Sequence, residues 1–204
     1  MINQLIIKGF KSFVDKSINF NQLNVLTGLN SSGKSTVIQA LQILNKYSRH
    51  FENPLIEGHG DYKELQNPFS SLPFSINAKY GEHGIICYSP QKENNIHTEE
   101  FPDLIVISAD RYGPLVSIPL LSDCELGSRG ENVIKCIRVH ENDILDKLIT
   151  HPNSEGDTFL YNLRAWLGTI TPGVQFNYDI IDKADTSFSL FNGYRAKNVG
   201  FGLS

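Results

Sequence analysis

Gly28-Leu29-Asn30-Ser31-Ser32-Gly33-Lys34-Ser35 decides how this chain is read. The stretch satisfies G-x-x-x-x-G-K-[ST] at every position, and its surroundings suit it: an apolar pair, Val25-Leu26, precedes it and a helical pattern follows. Gly28 and Gly33 let the backbone curl so that successive N–H groups point inward at phosphate oxygens. The helix that begins beside Ser35 adds its unpaired N–H groups and its positive end. Lys34 is suited to reach β- and γ-phosphates, and Ser35 to place its hydroxyl on Mg²⁺. Thr36 supports the helix start and can touch the α-phosphate. Asn30, Ser31 and Ser32 contribute backbone N–H groups more than side chains. The ligand implied is a nucleoside triphosphate with Mg²⁺; the loop reads phosphates and not the base.

Outward from the loop, the chain reads as a mixed α/β protein. Leu5-Ile6-Ile7 marks a first strand over residues 4–8, and Ile18 and Phe20 mark a second. Residues 24–27 read as a third strand running directly into the loop. The helix over residues 35–47 turns Val37, Ala40, Leu41 and Leu44 to one side, broadened by Ile38 and Ile43. A short helix is expected at 61–65 within an irregular stretch. A hairpin is expected at 75–88 around Gly81-Glu82-His83-Gly84. Residues 104–107, Leu-Ile-Val-Ile, suit a buried strand. Helices are expected over 131–138 and 142–150. A third, with Phe159, Leu160, Leu163, Trp166 and Leu167 inward, should stop at Gly168. Phe176, Tyr178 and Ile180, then Phe188 and Leu190, alternate as an antiparallel hairpin.

Bulk composition narrows the function classes. With 204 residues, 40% apolar and 20% charged, the chain can bury a substantial core. Its net charge of −4 lacks the basic excess of a dedicated nucleic-acid-binding module. Cys87, Cys124 and Cys136 have no paired spacing, and they read as buried thiols of a reducing compartment. The six histidines lack ligand spacing. No leader or membrane span is read, so the cytoplasm is the expected location.

Hydrolysis needs more than a phosphate loop: a carboxylate for the Mg²⁺ shell and a group that orients water. Within the chain, the stretch Leu104-Ile105-Val106-Ile107-Ser108-Ala109-Asp110 offers an apolar strand ending near an acid. On that reading the chain is a small self-contained kinase or NTPase using Asp110.

A resemblance points elsewhere. Ile6-Ile7-Lys8-Gly9-Phe10-Lys11-Ser12-Phe13, the loop with its helix, Ser108-Ala109-Asp110-Arg111-Tyr112-Gly113-Pro114, Gly127-Ser128-Arg129-Gly130-Glu131-Asn132 and Asn198-Val199-Gly200-Phe201-Gly202-Leu203-Ser204 follow one another in a familiar order. Together they resemble the N-terminal part of ABC-like AAA ATPases, the group that includes RecF- and SMC-type heads and OLD-type ATPases. The resemblance implies an α/β P-loop NTPase fold of the ABC-ATPase-head type, a mixed sheet with an antiparallel subdomain and a helical insertion. It implies a nucleotide-binding lobe over 1–115, a helical region over 116–170, and a hairpin with the start of the signature segment over 171–204. It implies ATP with Mg²⁺ as cofactors. Lys11 and Phe13 would flank the adenine, core packing being the alternative for Phe13. Arg111 would contact phosphate or link to the helical region, an ion pair with Asp110 or Glu131 being its alternative. Ser204 would be the signature serine. The Mg²⁺ aspartate and catalytic glutamate would lie beyond Ser204, so hydrolysis would need residues outside this chain. Partners implied are a second copy or a second ATPase-half polypeptide, with a nuclease or other effector, in a DNA-linked or anti-phage defence system. A nucleotide-dependent interaction module without turnover is the other reading.

Overall fold

The computed structural model describes residues 1–49, 53–90, 100–110, 112–120 and 126–199. Arg111, Cys124 and the segment 200–204, all singled out above, lie outside these. The chain divides into two compact units, Met1–Leu104 and Ile105–Ser204.

The first unit is built on a four-stranded antiparallel sheet, order β2-β1-β3-β4. Its strands are β1 (Ile2–Phe10), β2 (Phe13–Asn19), β3 (Ser75–Tyr80) and β4 (Gly84–Tyr88). β1 is central, with Ile7 opposite Lys16 on one side and Ile76 on the other. Leu5, Ile7, Ile76, Ala78 and Ile86 alternate inward, the period of two that a one-sided core requires. Onto that face packs helix α1 (Lys34–Ser48), which buries Thr36, Val37, Ala40, Ile43 and Leu44. The buried stripe sits slightly off the expected one, because Ile38 faces outward. Burying each such aliphatic side chain stabilises the fold by roughly 1.5–3 kcal/mol. Helix α2 (Tyr62–Leu65) starts at Asp61, whose carboxylate accepts the N–H groups of Lys63 and Glu64.

Two expected strands do not form. Residues 24–27 pair with no strand among the described residues, and the whole stretch 21–30 is exposed. Asn24 instead folds back, its side chain bonding both the N–H and the carbonyl of Asn21. Residues 104–107 are likewise unpaired, with Ile105 78% and Ile107 67% exposed. An apolar run records a preference for burial, but a strand also needs an adjacent ladder. Every ladder among the described residues is antiparallel, so these two runs do not supply the parallel part of the expected mixed sheet.

The second unit carries β5 (Ile118–Pro119), helices α3 (Val133–His140) and α4 (Phe159–Ile170), β6 (Phe176–Ile181), β7 (Thr186–Phe191) and β8 (Tyr194–Arg195). Its sheet runs β5-β7-β6, with β8 also on β7. The expected helix over 142–150 is replaced by turns. Leu145 N–H donates to the Asp157 carbonyl, Phe159 N–H to the Asp143 carbonyl, and the Asp146 carboxylate takes the Leu148 N–H. A side chain that captures backbone donors in this way competes with a helix. α4 runs through Gly168 to Ile170, since a single glycine weakens a helix without ending it. Trp166, expected in the core, is half exposed and stands edge-on to His151. In β7 the buried positions are Ser187 and Phe191, not Phe188 and Leu190. Ser187 tolerates burial because its hydroxyl donates to the Ile118 carbonyl. Cys87 and Cys136 are half-buried, not fully enclosed.

Candidate functional site

The loop from Gly28 to Gly33 is already curled. Gly28 (φ +146°), Ser31 (φ +63°) and Gly33 (φ +96°) take positive φ values, which bend the loop back on itself. Lys34 Nζ closes the ring from inside, donating to the carbonyls of Gly28 (2.9 Å) and Leu29 (2.6 Å). Ser32 N–H donates to the Leu29 carbonyl (3.3 Å). Gly33 is the N-cap of α1, with no side chain capping the helix. The N–H groups of Lys34, Ser35 and Thr36 have no protein acceptor among the described residues, and the first turn holds no acidic residue. An uncapped helix start with a lysine beside it is a physical fit for an anion, and for phosphate above all. Ser35 is exposed at that first turn, its hydroxyl available to a cation, while Thr36 is buried.

The β1–β2 connection is packed directly against this loop. Phe10 pairs with Phe13, leaving Lys11 and Ser12 as a two-residue turn. Ser12 and Thr36 hydroxyls lie 3.2 Å apart and share a hydrogen bond. A Cβ on Gly33 would come within 2.7 Å of the Phe13 ring and 3.0 Å of Ser12 Oγ. Only glycine fits there, on space as well as on φ. Lys11 Nζ donates to Gln39 Oε1 (2.8 Å), and the Gln39 amide donates on to His59 Nε2 (3.4 Å). Phe13 is half-buried and packs against the first unit's core.

Lys11 has φ +48°, a conformation costing an L-residue on the order of 1–2 kcal/mol. Residues 65–70 hold it there. Lys11 N–H donates to the Leu65 carbonyl (2.8 Å), and Asn67 Nδ2 donates to the Lys11 carbonyl (2.6 Å). Asn67 N–H donates to the Gly9 carbonyl (2.8 Å), and its Oδ1 accepts the Phe69 N–H (2.8 Å).

The structure gathers the loop residues, Lys11 and Phe13, which the sequence reading singled out, in one unit. It also sets Ser12 on Thr36 and Gln39 and Asn67 on Lys11, three residues to which the sequence reading gave no role. Gln39 carried a faint signal as a polar residue beside the helix's apolar positions, whereas Asn67 lies in a stretch without periodicity. Arg111 lies outside the described residues.

Asp110 belongs to the second unit. Its carboxylate pairs with Arg129 Nε (3.3 Å), and its carbonyl accepts the same N–H (2.9 Å). The Arg129 guanidinium lies over the Tyr112 ring, 4.9 Å from its centre. Beside it is an apolar cavity of about 270 Å³ lined by Leu115, Val133, Ile137, Leu163, Leu167 and Phe176. Elsewhere in this unit the Tyr178 hydroxyl donates to the Glu141 carboxylate, which also accepts from Arg138. Burial first, and then this hydrogen bond, raises the Tyr178 phenol above its ordinary value.

Among known families, the AAA ATPase domain matches residues 1–168 of the 204. The chain belongs to the AAA ATPase domain family. Membership suggests nucleotide binding in general, and the match takes in both the phosphate loop and the turn at Lys11. No curated protein matches the chain. Among the described residues, no helix of this family member is long and apolar enough to cross a membrane, and no three His, Cys, Asp or Glu side chains cluster as a metal site.

Proposed function

We propose that the chain binds ATP–Mg²⁺ at residues 28–36 as the N-terminal part of an ABC-like AAA ATPase of the RecF, SMC and OLD type. The observation that carries this is the preformed loop. Lys34 is anchored to its carbonyls, and the first turn of α1 that follows has no side-chain cap. From this chain, Ser35 would hold Mg²⁺ alongside the phosphates. Lys11 and Phe13 flank the nucleotide on the β1–β2 side. Arg111 is assigned to the phosphates on resemblance alone.

Hydrolysis is assigned to residues outside this chain. This rests on the resemblance; Asp110, the one internal candidate, is paired with Arg129 in the second unit. The chain would act in the cytoplasm, in a DNA-linked or anti-phage defence system, with a second copy or a second ATPase half as partner and a nuclease or other effector. These roles rest on the resemblance. Leu23, Val25 and Leu29, the last 85% exposed, give such pairing an apolar surface to cover.

Titration of the 204-residue chain with ATP and Mg²⁺ by calorimetry tests the reading. Lys34→Ala should abolish binding or weaken it by more than about tenfold, with little turnover by the wild type. Robust turnover abolished by Asp110→Asn would overturn the assignment and favour the self-contained kinase.

A further inference from the structure

Asn67 is 3% exposed, and each of its polar groups is used on the stretch that carries the β1–β2 turn or on its own turn. Its side-chain amide meets the carbonyl of Lys11, the strained residue of that turn. Glycine would occupy the Lys11 position without strain. A lysine there is explained by its side chain, which reaches Gln39 on α1, one helical turn past Thr36. The turn also seats Ser12 on Thr36 and Phe13 on Gly33. The left-handed conformation, the brace and the three contacts with α1 therefore form one unit.

We propose that Asn67 is a positioning residue for the nucleotide site. It holds Lys11 in its left-handed conformation, so that Lys11, Ser12 and Phe13 stay against the phosphate loop and the first turns of α1. This rests on the reading of residues 28–36 as an ATP–Mg²⁺ site. Asn67 touches no part of the loop itself. Its effect passes through the backbone of Lys11. A substitution that removes its donor leaves the turn free to relax to negative φ, which draws Lys11 Nζ from Gln39 and the Phe13 ring from Gly33.

A double-mutant cycle on the full chain tests this, with ATP–Mg²⁺ affinity as the readout and circular dichroism as the check of folding. Asn67→Asp keeps the acceptor for Phe69 N–H and removes the donor to Lys11. It should weaken binding by at least about three- to tenfold, since a lost hydrogen bond is joined by a buried carboxylate set against the Lys11 carbonyl. Glycine takes positive φ without strain, so adding Asn67→Asp to Lys11→Gly should weaken binding clearly less than it does in the wild-type background. A merely structural Asn67 would give the same loss in both backgrounds, and that result overturns the proposal. Wild-type affinity in Asn67→Asp overturns it as well, leaving the nucleotide site intact. Failure of the wild type to bind ATP overturns the site and this inference together. Should Asn67→Asp not fold, Asn67→Ser takes its place with the same outcomes.

Discussion

The two units bury apolar side chains on different scales. The first encloses fifteen apolar residues between its sheet and α1, the second five, among the described residues. In the first, side chains from β1, β3, β4 and α1 meet in one continuous core, and the phosphate loop is the N-terminal extension of the helix that fills it. In the second, the polar side chain of Asn162 is the one buried residue of α4. Its Oδ1 accepts the His151 N–H (2.7 Å), and its Nδ2 donates to the carbonyls of Gly156 and Thr158. His151 in turn bonds Thr169 (2.8 Å) and accepts the Asn153 N–H. Apolar burial is deeper in the first unit, and in the second a buried hydrogen-bond network supplements a smaller fully buried core. A binding loop that must keep several N–H groups aligned belongs on the former kind of scaffold.

The strongest way to break this contrast is to hollow the first core. Leu44→Ala, fully buried on α1, should cost about 2–5 kcal/mol and weaken ATP binding along with thermal stability, as followed by calorimetry. A milder effect is expected from Asn162→Ala, which leaves the buried His151 N–H unpaired. It should cost roughly 1–3 kcal/mol, raise hydrogen exchange across residues 151–170, and leave ATP affinity unchanged. Equal loss of affinity in both variants would show that the loop depends on the second unit as much as on the first. The smallest effect concerns pH. The Tyr178 phenol is raised in the fold, so its stabilising contribution is complete below the unfolded value near 10 and is lost as pH climbs through the folded value. Tyr178→Phe should flatten the alkaline limb of a stability–pH profile above pH about 10 without altering ATP affinity.

Several elements of the fold were legible in the sequence, and the exceptions share a cause. The loop motif, the α1 periodicity, the hairpin at 75–88 and the alternation in β6 each depend on neighbours a few residues away, and all are found. The strands expected at 24–27 and 104–107 depend on partners far along the chain, which no local pattern specifies. The helix expected at 142–150 fails because Asp146 and the backbone of Asp157 take the donors a helix would use. In β7 the alternation was real but its phase was not, since a serine with a carbonyl to bond can take the inner position from a phenylalanine. Asn67 illustrates the same limit at the site: its role is set by a strained backbone 56 residues away, and a sequence does not display φ.

The hold of Lys34 on the carbonyls of Gly28 and Leu29 has a kinetic consequence. A loop that is curled before its ligand arrives has little ordering entropy left to lose. Association is then set by diffusion and by the attraction between an anionic ligand and the lysine, which added salt screens. On the proposed reading, variants around the loop should differ chiefly in how long the nucleotide stays, and much less in how fast it arrives.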